Sequence, residues 1–420
     1  MRISHRLALV AGFLAVHGWL TWLGTVAVPG EAFHDVDLYR SWARQGLDHG
    51  WWPVLDTPWV YPAGAVVVVL LPGLVASTPL GYALVWCALV TAVDAAVVVL
   101  LVRTGRPAAA WWWLGFLVLL GPVAVGRLDA VVVPLMIVAL LHARTRPRWA
   151  AALLTAGAWV KVAPGALMLP LVVAARRPVR DVVLPAAVVC AVVVAAVTAG
   201  GGLSRIATFL TTQQGRGLQI EAVGATPWMV AAGAGDPHVT VALDPALVTY
   251  QVTGPGTALT ALVLDVVLVG SVLTVALTLA VARRRGRALD VLLPGALTLL
   301  AVLVVANKVG SPQLVGWLAA PVVVMLHRTH DDPPVAADRR VVAVLVLGAA
   351  GLTQVLFPWG YPSLLAGDPW ATGVLVVRNL MLVVVLGCAV RLLRTASAPL
   401  PGPRSPDPTV GRDPREQVGP

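Results

Sequence analysis

The sequence predicts an all-α protein that crosses a membrane several times. Of its 420 residues, 58% are hydrophobic and only 12% are charged, and the mean hydropathy is +0.85. Apolar runs of at least about 18 residues recur along the chain, the length that a helix needs to cross roughly 30 Å of hydrocarbon. This composition is typical of membrane proteins and argues against one large soluble core.

Twelve apolar segments are predicted to lie in the membrane. The first has basic residues before it, but its apolar run is too long for a secretory signal and no A-x-A site follows, so we expect a retained helix. Residues 63–77 are apolar but contain Pro72, and we expect them to lie along or dip into the outer surface. The twelve segments cover residues 7–28, 80–102, 108–125, 128–143, 148–162, 164–175, 181–199, 256–282, 290–306, 311–326, 340–357 and 371–394.

The net charge of +10 comes from arginine clusters that recur between the apolar segments. Because positive loops stay in the cytoplasm, this spacing predicts a topology with both termini inside and argues against a nucleic-acid partner. The prediction is one membrane domain over 1–395, with external loops at 29–79 and 200–255. The Pro-rich residues 396–420 are predicted to be a disordered cytoplasmic tail. The three cysteines lie in apolar runs and indicate neither a disulfide framework nor a metal site.

The first external loop carries the densest group of polar and aromatic residues. Between residues 34 and 62 there are four aspartates, and five aromatic residues lie between Tyr39 and Trp59. Such residues either anchor a protein at the interface or bind a ligand there, and the combination favours binding. For two of these residues a structural role is as good an explanation as binding. His34 also suits a membrane interface, and Asp56 also suits a turn.

Three hairpins place further charges at the same outer side. Residues 149–175 have arginine clusters at both ends, so their 27 residues must enter the membrane and return, which puts Lys161 at the tip, at membrane depth. An unpaired charge there needs a polar cavity, unless Lys161 reaches the interface. Arg127 and Asp129 turn a second hairpin, and Lys308 turns a third. With the external Arg216, these cations suit a substrate whose phosphate they bind while a hydroxyl reaches a carboxylate.

In four blocks the chain resembles the polyprenyl-phosphate-mannose-dependent α-mannosyltransferases of the GT-C fold, glycosyltransferase family 87. The blocks are HDVDLYRSWARQGLDHGWWPVLDTPWVYP, GRLDAVVVPLMIVALLHARTRPRWAAALLTAGAWVKVAPGALMLP, RGLQIEAV and NKVGSPQ, in the family's order. The residues that match the family pattern are Asp35, Tyr39, Trp42, Gly50, Pro53, Asp56, Tyr61, Pro62, Gly126, Asp129, Lys161, Pro164, Arg216, Gln219, Glu221, Lys308, Ser311, Pro312 and Gln313. Val54, Val60 and Ala63 depart from it, which leaves the identity of the sugar open.

The resemblance implies an inverting, metal-independent transferase of the cell membrane. It takes a mannosyl or other hexosyl unit from a polyprenyl phosphate, without a cofactor, and gives it to an envelope glycolipid or polysaccharide on the extracytoplasmic side. Asp35 is the expected general base, with Asp37 as second choice, because in an extended segment Asp37 would point elsewhere. The expected phosphate ligands are Lys161, Lys308, Arg216 and Arg127. The expected substrate contacts are His34, Tyr39, Trp42, Asp56, Tyr61, Asp129, Gln219, Glu221 and Gln313.

A transporter or flippase for a lipid-linked or anionic substrate is the alternative from another class. Asp94 and Asp265 lie within apolar segments, where we expect them to pair with neighbours, although transport chemistry would also use such residues. The clustering of charges at one side, instead of at the midplane, favours the transferase. A scaffold for envelope assembly would leave those charges unexplained.

Overall fold

A computed structural model describes residues 3–214, 216–245, 248–326 and 333–399 of the chain. The chain is 77% helix and 3% strand, which confirms the all-α class. Its two strands are Thr240–Asp244 (β1) and Thr249–Thr253 (β2). Its helices are Ile3–Trp22 (α1), Pro29–Ala32 (α2), His34–His49 (α3), Ala65–Val75 (α4), Pro79–Arg103 (α5), Pro107–Leu120 (α6), Asp129–His142 (α7), Pro147–Val160 (α8), Ala163–Ala166 (α9), Met168–Ala174 (α10), Leu184–Ala199 (α11), Thr208–Gln214 (α12), Thr226–Gly233 (α13), Thr257–Arg284 (α14), Leu292–Val305 (α15), Val315–Met325 (α16), Pro333–Gln354 (α17), Tyr361–Leu365 (α18) and Pro369–Ser397 (α19).

Seven helices in the described part of the chain are long and apolar enough to cross a membrane. They coincide with seven of the twelve predicted segments, and the full count of twelve stays a prediction. The remaining predicted segments form shorter apolar helices, such as α7 and α15 with 14 residues each. The predicted tail, residues 396–420, lies largely outside the described residues, which end at residue 399. The seven long helices are Ile3–Ala27, Pro79–Arg103, Pro107–Ala124, Val179–Ala199, Thr257–Arg284, Val335–Trp359 and Pro369–Ser397.

The short helices form the centre of the bundle and the longer ones surround it. All 11 residues of α16, 12 of the 14 in α15 and 10 of the 14 in α7 are buried, whereas α11 has one buried residue and α14 has four. Helix α7 packs on α8 and α16, and α15 packs on α16 and α19. A lipid-facing helix must span the full apolar thickness, but a helix shielded by its neighbours can be shorter, because protein surrounds its exposed ends.

Arginines at one end of the bundle, here called the basic end, bind the carbonyl groups at helix termini. Arg144 donates to Leu289 O (2.8 Å), and Arg283 donates to Val172 O and Ala175 O, both at 3.0 Å. Helix α10 ends at Ala174, so the Val172 and Ala175 oxygens lie at its end, where carbonyls have no intrahelical partner, whereas Leu289 lies in the turn before α15. The arginine clusters therefore cap helices in addition to indicating topology.

The beginning of the first external loop is helical, so the extended conformation considered for Asp35 and Asp37 is wrong. Both lie in the first turn of α3, where negative charge is favoured by the helix dipole. The helix ends at Gly50, whose φ of 71° is left-handed and whose N–H bonds to Gly46 O at 3.0 Å. Residues that are two positions apart on a helix are rotated by roughly 200° about its axis, so the carboxylates of Asp35 and Asp37 still point in different directions.

The second of the predicted external loops contains a hairpin that the sequence analysis missed. Strands β1 and β2 pair antiparallel, and Leu218 O accepts a hydrogen bond from Val252 N (2.9 Å). The alternation in TVALD and TYQVT is a strand signal, but each run has only five residues. The hairpin supports the segment 216–222 from one side.

The two loops that are predicted to be external bind each other through backbone groups. Arg205 donates to Leu55 O at 2.5 Å, and Thr208 Oγ1 accepts from Trp59 N at 3.2 Å. The loop around residues 51–59 is therefore held against the beginning of the second loop. This contact fixes the position of the aromatic residues of the first loop relative to Arg205 and Thr208.

A Gly310→Ala substitution should destabilise the protein. The new Cβ would lie 2.0 Å from Ala222 N and 2.2 Å from the carbonyl carbon of Glu221, so two backbone segments must separate. Overpacking of this kind costs about 1–3 kcal/mol. We expect a lower midpoint of thermal unfolding in detergent. Gly18→Ala is the control, because no atom lies within 4 Å of the position that its new methyl group would take, so its midpoint should not fall. Equal midpoints for the two variants would show that the contact at Gly310 is not tight.

Candidate functional site

The outward tips of the predicted hairpins meet at the end of the bundle opposite the arginine clusters. The turn before α7 contacts the turn before α16, and the turn before α13 contacts α14 and α15. The backbone N–H of Gln219 donates to Lys308 O at 3.0 Å, which joins two of the four family-like blocks directly. This end, here called the polar end, contains the sequence-predicted site residues.

Asp35 forms an ion pair with Arg127 at the start of α3. The distance from Arg127 Nε to Asp35 Oδ2 is 3.2 Å, and Arg127 Nη1 also donates to Ala32 O at 3.2 Å. Arg127 is 7% exposed, and its guanidinium lies over the Phe357 ring, 5.6 Å from the centroid. The side chain of Asp35 is more accessible than that of Arg127, so its carboxylate faces the outer side of the pair. The arginine thus holds the carboxylate of the expected base in place.

Asp129 is a buried acceptor between two hairpins. It accepts a hydrogen bond from Lys161, and its other oxygen accepts from Trp317 Nε1 at 2.6 Å. Helix α8 ends at Val160, and Lys161 has extended backbone angles, so the predicted tip coincides with a real break in the helix. Lys161 is therefore paired with a carboxylate, a partner that the sequence did not predict.

Aromatic rings pack together behind Asp35. Tyr39 is 1% exposed and its hydroxyl accepts from Leu128 N at 3.3 Å, which ties α3 to the turn before α7. Trp42, Trp59 and Tyr61 meet one another edge to face, with centroids 5.3–6.1 Å apart. These contacts use the ring surfaces of Tyr39 and Trp59 for packing, so Trp42 and Tyr61, which are partly exposed, are better placed for a substrate. Burial, followed by the charge of Asp35, raises the pKa of Tyr61.

Glu221 and Arg378 form a buried ion pair that joins the second external loop to α19. Arg378 Nη2 lies 3.1 Å from Glu221 Oε2 and 3.3 Å from Glu221 O, and Arg378 and Glu221 are 2% and 3% exposed. Burial raises the pKa of Glu221, and the nearby charge of Arg378 opposes that shift. Sequence reasoning missed Arg378, although a charge within an apolar segment is itself a signal. Gln219, two residues before Glu221, is also buried.

Lys308 also has a carboxylate partner. Its Nζ lies 2.9 Å from Asp265 Oδ2 on α14, which agrees with the expectation that Asp265 pairs with a neighbour. Thus Arg127, Lys161 and Lys308 are all paired in this structure, so each would have to share or exchange its carboxylate in order to bind a phosphate.

Arg216 differs from Arg127, Lys161 and Lys308, because it forms no ion pair with a described residue. Its Nε is buried without a hydrogen-bond partner. Burial lowers the pKa of Arg216, and Tyr61 and Asp244 oppose that shift electrostatically. A partly buried guanidinium in this state is stabilised by an incoming anion.

Three predicted residues lie away from this cluster. His34 is exposed, and Asp37 is exposed and pairs with Arg40 at 2.8 Å within α3. The Asp56 side chain accepts a hydrogen bond from Trp52 N at 2.8 Å. This bond closes a turn, which agrees with the turn-forming role considered for Asp56. The structure therefore separates Asp35 from Asp37, since Asp35 alone of the two contacts the central arginine.

Gln313 lines a small cavity of about 20 Å³ together with Asp129 and Asp94, which is enough for roughly one water molecule. Asp94 pairs with His17 at 3.1 Å and accepts from Trp113 Nε1 at 3.3 Å, as expected for a charge within the bundle. His17 Nδ1 faces Phe13 O at 3.0 Å, so both ring nitrogens face acceptor groups.

No family model matches the chain, and neither a characterised protein nor a solved structure is detectably similar to it.

Replacing Glu221 by Gln should destabilise the fold strongly. The change leaves the Arg378 charge buried without a carboxylate, and breaking a buried pair costs about 3–5 kcal/mol. Asp338→Asn is a matched control, because Asp338 pairs with Arg391, whose side chain is 68% exposed, and exposed pairs contribute about 0–1 kcal/mol. Denaturation in detergent measures both. Equal effects would mean that the Glu221–Arg378 pair is solvated.

Proposed function

We propose that this chain is a membrane glycosyltransferase that moves a mannosyl or other hexosyl unit from a polyprenyl phosphate to a hydroxyl of an envelope glycolipid or polysaccharide. The observation that carries the proposal is that a carboxylate suited to act as a base and a cation suited to bind phosphate both lie in the polar end. Asp35 offers a carboxylate held by Arg127, and Arg216 offers a partly buried cation without an ion-pair partner among the described residues. Burial, followed by the charge of Asp35, raises the pKa of Tyr61, and Tyr61 in turn opposes the lowering of the Arg216 pKa by burial, as expected if Tyr61 lies between the two.

The proposed reaction is a direct displacement at the anomeric carbon. The acceptor hydroxyl oxygen attacks that carbon, the bond from carbon to the phosphate oxygen breaks, and the configuration inverts. Asp35 accepts the hydroxyl proton as the new bond forms. Negative charge accumulates on the departing polyprenyl phosphate, and Arg216 stabilises it, with Lys161 and Arg127 as nearby donors that can share their carboxylates. No metal ion is assigned to any of these steps.

The polar end would face the extracytoplasmic side of the cell membrane. The arginine clusters at the opposite end support this orientation, because basic loops are retained in the cytoplasm. A lipid-linked donor would then enter from the outer leaflet, and a glycolipid acceptor would approach Asp35 from water.

Membranes that contain the protein can be incubated with polyprenyl phosphate carrying a labelled mannose and with an envelope lipid extract. Label in a new glycolipid, and its absence with the Asp35→Asn variant, would support the transferase. Movement of intact donor across the membrane without transfer would instead support the second candidate, a transporter. The buried His17–Asp94 pair beside the interior cavity favours that candidate, since buried ionisable pairs also occur on transport pathways.

Asp35→Asn should lower the transfer rate by about 100-fold or more, because the amide keeps the shape of the side chain but cannot accept the proton. Binding of the donor should be largely retained, which a separate binding assay verifies. Asp37→Asn is the matched control, since Asp37 is exposed and pairs only within its own helix. Near-normal transfer by Asp35→Asn with an inactive Asp37→Asn would reverse the assignment, and two active variants would exclude this base mechanism.

Arg216→Gln should weaken use of the donor by about tenfold or more, because a charge-assisted hydrogen bond to phosphate contributes about 1.5–3 kcal/mol. The effect should appear in kcat/KM for the donor and leave KM for the acceptor unchanged. Arg44→Gln removes the same charge from the same end and should have little effect, since Arg44 pairs with Asp48 at the surface of α3. Equal kinetics for both variants would remove Arg216 from the phosphate site.

A further inference from the structure

An open cavity of about 350 Å³ lies at the basic end of the bundle, far from the candidate functional site. It forms where α8 begins and where the chain turns into α11. The residues that line it are Thr145, Arg146, Pro147, Arg148, Trp149 and Asp181.

The cavity has an excess of positive charge. Arg148 Nε binds Asp181 Oδ1 at 3.1 Å, which engages one nitrogen of its guanidinium. Arg146 is exposed and forms no ion pair with the described residues. Two guanidinium groups thus face one carboxylate. The retention of basic loops in the cytoplasm explains why arginines occur at this end, but it does not require that they line one cavity.

An apolar surface continues from the cavity along α11. Leu184, Val188 and Val192 are 54%, 62% and 64% exposed, and their spacing of four residues places them on one helix face. That face begins one turn after Asp181. Trp149, at the cavity itself, is 66% exposed, as is typical of tryptophans at the boundary between headgroups and acyl chains. Asp181, which lines the cavity, lies three residues before Leu184 and seven before Val188, so it belongs to the same side of this helical segment as the apolar face.

We propose that this cavity binds the headgroup of an anionic phospholipid. Arg146 and the terminal nitrogens of Arg148 bind the phosphate, and an acyl chain lies along Leu184, Val188 and Val192. The combination of cations and apolar surface selects a lipid over free phosphate, which would use the arginines alone. The proposal is independent of the reaction at the polar end.

The test measures contact between Trp149 and brominated lipids in nanodiscs that hold the full chain. The signal of Trp149 is the difference in fluorescence between the protein and its Trp149→Phe variant. Dibrominated phosphatidylglycerol should reach half-maximal quenching at a mole fraction about fivefold lower than dibrominated phosphatidylcholine, as expected for one net cationic charge. The double variant Arg146→Gln/Arg148→Gln should abolish this preference and still elute as a folded, monodisperse protein.

The matched control is Arg284→Gln/Arg394→Gln, which removes two exposed arginines of the basic end that do not line the cavity. It should keep the lipid preference. Equal quenching by the two lipids would overturn the proposal, and so would a control that loses the preference as completely as the cavity variant, since the field of the whole basic end would then be responsible. Displacement of the lipid by inorganic phosphate would show a site for free anions and overturn the assignment to lipid.

Discussion

The pairing of buried charges is the constraint on which the polar end of this bundle depends. An ionised group taken out of water loses several kcal/mol of solvation, and an opposite charge at hydrogen-bond distance recovers much of it. Four pairs at this end join elements that are distant in sequence; three of them are largely buried, and in the fourth the Asp265 side chain is about half exposed. The pairs are Asp35 with Arg127, Asp129 with Lys161, Asp265 with Lys308 and Glu221 with Arg378.

These pairs also explain why the central helices can be short. Helix α8 ends at Val160, and the chain reverses at a point where backbone groups would otherwise face hydrocarbon. The Lys161 ammonium is satisfied there by Asp129, and the long helices outside it exclude lipid. The polar cluster is thus a consequence of how the short hairpins are closed, and a reaction site built from it uses groups that the fold already holds rigidly.

The sequence predicted the features that follow from length and charge, and it did not predict those that depend on tertiary partners. Counting 27 residues between arginine clusters correctly placed a helix break at Lys161, because the rise of a helix per residue is fixed. The partner of Lys161 could not be derived, since Asp129 is 32 residues away and had been assigned to a separate role. The helical start of the first loop was missed because its aspartates favour a helix only through their position in the first turn. Arg378 was visible as a charge within an apolar segment, but its partner Glu221 lies 157 residues earlier in the chain.

Arginine has different partners at the two ends, and this difference tells more about function than the net charge does. At the basic end, Arg283 binds backbone carbonyls at the end of α10, which caps the helix and, among the described residues, does not cancel the charge. At the polar end, Arg127 and Arg378 bind carboxylates, which cancels their charge. An arginine that does neither retains its capacity to bind an anion. Arg216 at one end and Arg146 at the other are two such arginines among the described residues, and each stands beside groups that suit a lipid-borne phosphate. The proposed donor site and the proposed phospholipid site therefore follow from the same physical argument, applied to opposite faces of the membrane.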